Sequence, residues 1–472
     1  MRRRELVWIT VAAVAVVVSI TLAATKKDDL YPRYEMFATL VEKIMSDYVD
    51  PVDAEKLFQG SFGGMVSSLD PYSQFLPPEA KEQLDIDTTG EYGGLGIEIQ
   101  LDRAGYLTVV TPMEDTPAFR SGVLAGDRIL RIDGERVLTI PLIRRLTEAV
   151  KRLRGKPNTD VTITVQHEDG SREDITLTRE IISTKSARAA KMVDEETGIG
   201  YVRLSQFQEG TAKELDVVVD QLLDQGMRAF ILDLRFNPGG LLGEANGVCD
   251  RFLSEGVIVS TKGRASGSEN VFKATGAHTY PDFPVAVLIS RRSASGSEIV
   301  AGALQDHRRA VVVGTRSFGK GSVQTIMKLS DGSALRLTTA RYYTPSGRSI
   351  HRNPYEESED DEEAEWGIVP DFPVPISREE QNGIIRHWRE EHIIRNNNEE
   401  LESDDEEDTS LEEEDSADDD QSLDEPEDDT VEEEFVDRQL EVAKTVLKAM
   451  LLERHKDTLT EIAEEPEPAA KQ

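Results

Sequence analysis

The chain has 472 residues, 90 acidic against 54 basic side chains, a formal net charge of -36 and a single cysteine. The excess charge is local: Glu399 to Glu434 holds 23 acids and no lysine or arginine, and Glu356 to Glu365 holds eight acids. What remains is a mildly acidic globular composition, which argues against nucleic-acid binding, while the lone Cys249 excludes an intramolecular disulfide.

In chain order, Arg2-Arg3-Arg4 precede an uncharged run of 19 residues, Leu6 to Ala24. At 1.5 Å per residue this run spans roughly 28 Å, close to the hydrocarbon thickness of a bilayer. It is longer than a usual signal-peptide core and ends without a clean small-x-small cleavage site. Residues 1–30 are therefore expected to be a cytoplasmic N-terminus followed by a retained single-pass signal anchor in the inner (cytoplasmic) membrane. The body then lies on the periplasmic, extracytoplasmic side. Residues 31–88 read as helical, with Phe37, Leu40, Val41, Ile44 and Met45 on one face. Residues 89–180 change to short β runs such as "GLGIEIQ" and "YLTVVTP", punctuated by Asp133-Gly134 and Asp169-Gly170, with one helix around "LIRRLTEAVKRLRG". Residues 181–376 alternate helices with continuous apolar strands, among them "AFILDL", "FPVAVLIS" and "AVVVG". That pattern predicts an α/β layer structure in a multidomain α/β protein. Residues 377–396 form a helical or linker segment, and the acidic stretch 397–434 is expected to be a disordered linker. Helical periodicity returns over 435–458 through Leu440, Val446, Leu447 and Leu451, a docked or partner-binding helix.

Two motifs carry chemistry. "VVVGTRSFGKGSV", Val311 to Val323, begins like a strand entering a phosphate-binding loop, with Gly314, Gly319 and Lys320 in place. The next residue is Gly321, where that loop needs a Ser or Thr hydroxyl for Mg²⁺, so the lysine has another use. "SASGSEIVAGALQD" places Ser295 on an elbow after a strand, among small residues. Ser295 and Glu298 have the spacing of a capping box. The same helix N-terminus presents free N-H groups to a developing anion, as a serine nucleophile requires. Histidine is the usual base for such a serine. His307, one helix beyond Ser295, stands in a polar turn that reads as solvated, and no Asp-His pairing is apparent. A lysine can replace it if burial lowers its pKa, at a cost of roughly 4 to 5 kcal/mol at 1.36 kcal/mol per unit. Lys320 in its glycine-lined loop fits, and Gln324, four residues on, could orient the amine.

Taken with "DLRFNPGG", "DGSALRLTTARYYTPSGRSI" and "GIVPD", these motifs resemble the C-terminal processing (tail-specific) serine proteases over roughly Tyr34 to Pro375. "GGLGIEI" and "TPAFRSGVLAGDRILRIDGERV" are similar to their PDZ domain. The resemblance implies a protease core of the crotonase/ClpP-like type with an inserted PDZ domain. It implies Ser295 as nucleophile, Lys320 as general base and Gln324 as its orienter, with backbone N-H groups of Gly296, Gly239 and Gly240 as oxyanion hole. It also implies a peptide site at Gly93, Gly94, Leu95 and Gly96, where a substrate carboxylate would bind, and along Ile97 to Ile99, where its strand would pair. No metal or cofactor is called for. The expected partners are protein or peptide C-termini, the membrane and further copies of the chain. The competing expectation is a catalytically inactive, membrane-tethered PDZ adaptor. The acidic insertion between Ile350 and Trp366 and the acidic tail depart from the family pattern.

Overall fold

A computed structural model describes residues 30–265, 267–352, 366–392 and 435–464. The expected anchor, the acidic insertion and the acidic linker lie outside these residues. Among the described residues, no helix is long and apolar enough to cross a membrane. The chain divides into two compact units, one containing residues up to Lys81 together with Gln324–Thr338, the other Glu82–Val323 and Thr339 onward.

The first unit begins with helices α1 (Tyr31–Asp47) and α2 (Ala54–Ser67), the second capped by Asp53, whose carboxylate accepts from the Glu55 and Lys56 N-H groups. The expected apolar stripe of α1 is narrower than its sequence suggests. Phe37, Val41 and Ile44 are half-buried, whereas Leu40 and Met45 are exposed. A ladder of rings, Phe37, Phe58, Phe62 and Phe75, joins α1 through α2 to strand β1 (Gln74–Leu76) at centroid separations of 6.5, 6.0 and 5.3 Å. β1 pairs antiparallel with Ala334–Arg336. Asp70 organises the junction by accepting hydrogen bonds from Tyr72 N, Ser73 N, Ser73 Oγ and Thr338 Oγ1.

Helix α3 (Pro78–Thr89) leads into the second unit, followed by β2 (Glu91–Gly94). Next come β3 (Ile97–Leu101), β4 (Leu107–Pro112), the single turn α4 (Pro117–Arg120), β5 (Arg128–Ile132), β6 (Glu135–Arg136), α5 (Leu142–Leu153), β7 (Asp160–Gln166) and β8 (Arg172–Thr178). Their sheet runs β3-β4-β5-β7-β8 with β6 on β5, which leaves β3 at an edge. Period-two alternation sets its packing. Val161, Ile163 and Val165 of β7 point into a core shared with Leu107, Val109, Ile129 and Leu153. β9 (Glu180–Ser183) then returns to pair with β2, from Glu91 opposite Ser183 to Gly94 opposite Glu180. The module is thus entered and left through one two-stranded ribbon.

The larger core contains β10 (Ala187–Asp194), β11 (Ile199–Leu204), α6 (Thr211–Asp224), β12 (Ala229–Asp233), α7 (Leu242–Phe252), β13 (Val257–Gly263), β14 (Asn270–Lys273), β15 (Val285–Ile289), α8 (Gly296–Asp306) and β16 (Val311–Gly314). β17 (Ser322–Lys328), β18 (Ala334–Tyr343), β19 (Phe372–Pro373), α9 (Arg378–His392) and α10 (Arg438–Glu464) follow. Strand order is β10-β11-β12-β15-β16-β19, parallel throughout except for antiparallel β10. One face carries Val202, Phe230, Leu232, Val285, Val287 and Val312, packed against α6, α7 and α8. The other carries Tyr201, Ile231, Ala286, Leu288 and Val313, packed against Ala443 and Leu447 of α10. Burial on both faces explains why these strands are apolar without alternation. The C-terminal helix is therefore docked on its own sheet.

Candidate active site

Three loops meet beyond the carboxyl ends of adjacent parallel strands, where open α/β sheets place their sites. They are Leu234–Gly240 after β12, Ser290–Ser295 after β15 and Thr315–Gly321 after β16. Ser295 lies at the N-terminus of α8, an eleven-residue helix buried from Gly296 through Leu304. Its backbone has φ 54° and ψ -110°, a conformation that costs a residue with a Cβ about 1–3 kcal/mol and persists only where neighbours enforce it. The expected capping box is present: the Ser295 side chain faces the Glu298 N-H, and the Glu298 carboxylate accepts the Ser295 N-H at 2.7 Å. The Glu298 N-H also reaches the Ser295 carbonyl at 2.9 Å.

Glu298 is fully buried and joins the two motifs. Besides Ser295 N, its carboxylate accepts from Ser317 Oγ at 2.5 Å, Gly319 N at 2.6 Å and Lys320 N at 2.9 Å. Burial pushes the carboxyl up to about 7, against the pull of those four donors. One side chain thus ties the backbone of Ser295 to the backbone of Lys320. Lys320 is half-buried, and its carbonyl accepts from the Tyr342 hydroxyl. Gly321, which broke the phosphate-loop pattern, is needed sterically: a Cβ there would come within 2.7 Å of the His351 N.

The glycine turn closes the site. A Cβ on Gly239 would lie 2.7 Å from Ser295 Cβ and 2.8 Å from Gly296 N, so only glycine lets the turn reach the elbow. Its N-H, however, donates to Asn237 Oδ1 at 2.8 Å, so of the three N-H groups expected to form an oxyanion hole this one is taken. Gly240 is different. The bonds on either side of it use the Gly239 carbonyl and the Leu241 N-H, both to Phe207, and the Gly240 N-H turns away from them. The Gly296 N-H, at the first position of α8, has no intrahelical acceptor. Asn237, which sequence reasoning passed over, stitches the loops. Its Nδ2 donates to Leu204 O at 2.8 Å, and its carbonyl accepts from Ala294 N at 3.0 Å and Ser297 Oγ at 2.9 Å.

His307 caps the far end of α8, about 18 Å of helix from Ser295. It is part-buried rather than solvated, with Nε2 2.7 Å from the Val257 carbonyl, a structural role. Gln324 belongs to the first unit, where its amide donates to Thr338 Oγ1 at 3.4 Å. In the β-rich module, Gly93 and Gly94 belong to β2 and pair with Ile181 and Glu180, so the turn into β3 is Leu95-Gly96 alone. Gly96 has φ 75°, and a Cβ there would meet the Thr116 side chain. Ile97 and Ile99 lie on edge strand β3, half-buried.

Fold and sequence together define a serine-type peptidase with a PDZ domain. Residues 198–374 match peptidase family S41, and residues 108–167 match the PDZ domain. The carboxy-terminal-processing protease of Bartonella bacilliformis is 42% identical over 344 residues, 72% of this chain and 77% of that protein. The carboxyl-terminal-processing protease of Synechocystis sp. is 40% identical over 66% of this chain and 69% of its own length. A solved photosystem II D1 C-terminal processing protease aligns over 71% of this chain and 86% of its own, at 29% identity and a TM-score of 0.40. The chain belongs to peptidase family S41, among the carboxy-terminal-processing proteases.

The raised Glu298 pKa has a signed consequence. The folded state holds a proton that the unfolded state releases between about 4.5 and about 7. The stability this contributes is complete below that window and is lost as pH rises through about 7. Glu298→Gln should flatten the dependence of unfolding free energy on pH across the window. It should also lower the thermal midpoint, because an amide cannot accept from all four donors. Denaturant titrations at several pH values measure both effects, and an unchanged slope would contradict the assignment.

Proposed function

We propose that the chain is a membrane-anchored serine endopeptidase that captures the C-termini of extracytoplasmic proteins on its PDZ domain and cleaves near those ends. The observation that supports the chemistry is the shared Glu298 carboxylate, which accepts from the backbone N-H groups of both Ser295 and Lys320, while the Gly239 turn packs against Ser295. Lys320 in its neutral form takes the proton of the Ser295 hydroxyl as its oxygen attacks the scissile carbonyl. The N-H groups of Gly296 and Gly240 receive the oxyanion. The protonated lysine then passes its proton to the leaving amine. Water, deprotonated by the same lysine, releases the acyl group from Ser295.

Peptide capture is assigned to the edge of β3, where a substrate strand adds by main-chain pairing. Beside it, α5 exposes Leu142, Ile143 and Leu146, a surface suited to an apolar C-terminal side chain. The Leu95-Gly96 turn would receive the terminal carboxylate.

Ser295→Ala and Lys320→Ala should each lower kcat on a peptide substrate by several orders of magnitude with the fold intact, and the double variant should be little worse than either. Lys320→Arg should be equally inactive, since a guanidinium keeps its proton. Turnover lost in His307→Ala but kept in Lys320→Ala would reverse the assignment of the base.

For the PDZ site, a peptide with a free apolar C-terminus should bind more tightly than its amidated twin, because amidation removes the charge the Leu95-Gly96 turn would hold. Equal affinity in a binding titration would remove C-terminal capture and leave the protease intact.

The membrane reading is carried by the Leu6–Ala24 run. Protease added to spheroplasts should digest the body of the full-length protein. Protection of the body, or a mature chain beginning near Thr25, would overturn it.

A further inference from the structure

The oxyanion turn is braced from behind by the far end of the chain. Arg235, four residues before Gly239, is entirely buried, and acceptors surround its guanidinium. Nε and Nη2 donate to Asp233, the latter at 2.7 Å. Nη1 and Nη2 donate to the two oxygens of Asp437 at 2.9 and 2.7 Å, and Nη1 also reaches Gln439 Oε1 at 3.2 Å. All five N-H groups of an arginine fork are thereby matched. Asp437 and Gln439 lie 202 and 204 residues away, at the start of α10, beyond the acidic linker. Asp437 also caps that helix through Leu440 N at 3.1 Å. Gln439 is fixed in turn by its own bond to Val374 O at 2.8 Å. A second brace comes from α9: the Trp388 ring lies 4.0 Å from the Arg203 guanidinium and meets the Phe236 ring edge to face at 5.5 Å. Phe236 has φ 61°, an unfavourable conformation that its neighbours must hold.

We propose that Asp437 is a positioning residue for the protease reaction: through Arg235 it fixes the Asn237–Gly240 turn, so the segment beyond the acidic linker is a working part of the active site. This inference rests on the protease reading above. It separates the C-terminal segment from an ordinary stabilising helix by what should fail when the contact is removed. Substrate is held elsewhere, so binding should survive, whereas stabilisation of the tetrahedral oxyanion should not.

The test uses the full-length protein. Asp437→Ala leaves Arg235 still paired with Asp233, and Leu447→Ala weakens α10 at a site remote from the turn. Asp437→Ala should lower kcat about tenfold to a hundredfold with KM within about twofold, less than the loss from deleting an oxyanion donor outright. It should weaken binding of a peptide boronate, a tetrahedral mimic, by the same factor, and Asp437→Glu should recover most of the loss. Leu447→Ala should lower the thermal midpoint at least as far while keeping kcat. If Asp437→Ala does not fold, the near-isosteric Asp437→Asn should show the same split in milder form. An unchanged kcat in the Asp437 variants of an active enzyme would overturn the inference. So would losses of kcat in both Asp437 and Leu447 variants that merely track the midpoint. A wild-type chain without Ser295-dependent hydrolysis would instead bring down the protease reading and this inference with it.

Discussion

The Glu298 carboxylate lies in the interior, and its acceptor capacity has to be met by the protein itself. Two of its donors are the N-H groups of Ser295 and Lys320, and the other two, Ser317 Oγ and Gly319 N, belong to the lysine loop. Neither loop can move without leaving a buried polar group unpaired, at about 1–3 kcal/mol for each. The unfavourable backbone of Ser295, the close packing of Gly239 against it and the close approach of the His351 backbone to Gly321 all presuppose that the two loops stay in register. Side chains carried on two separate loops keep a fixed spacing only where contacts of this kind hold both backbones.

A second set of contacts works from the opposite side of the sheet. Asn237 holds the glycine turn to the Ser295 elbow through main-chain groups, while Arg235, two residues earlier, reaches through to α10. The strand β12 therefore ends in a segment whose successive residues are held by different layers of the fold. Tyr201 adds to this by donating to Asp233 at 2.8 Å, so the acidic partner of Arg235 is itself oriented.

The elbow at Ser295, the glycine-lined loop of Lys320 and the Pro238-Gly239-Gly240 turn were legible as local structure, because their residue types and spacing specify an elbow, a loop and a turn that permits close contact. Glu298 was read only as a helix cap. Its spacing to Ser295 is local, but its other three partners come from a loop that no short-range pattern connects to it. Arg235 stood in plain view within "RFNPGG", yet its partners lie beyond an acidic stretch that composition treats as a break between domains. The alternating faces of β11, β12 and β15 were masked because both are covered, and a strand buried on both sides carries no period-two signal. His307 failed as a surface residue for a related reason: its turn is polar in sequence, but the ring packs over Gly256, where a Cβ would come within 2.5 Å of it.

The ribbon formed by β2 and β9 places the two points where the chain enters and leaves the β-rich module on neighbouring strands, about 5 Å apart. Such a junction makes the module a detachable cassette. The core loses no strand or helix of its six-stranded sheet if the cassette is exchanged for any other whose termini emerge as an antiparallel pair. The PDZ module and the peptidase core thus occupy segments that can diverge at separate rates, so one core could carry successive replacements of its inserted module.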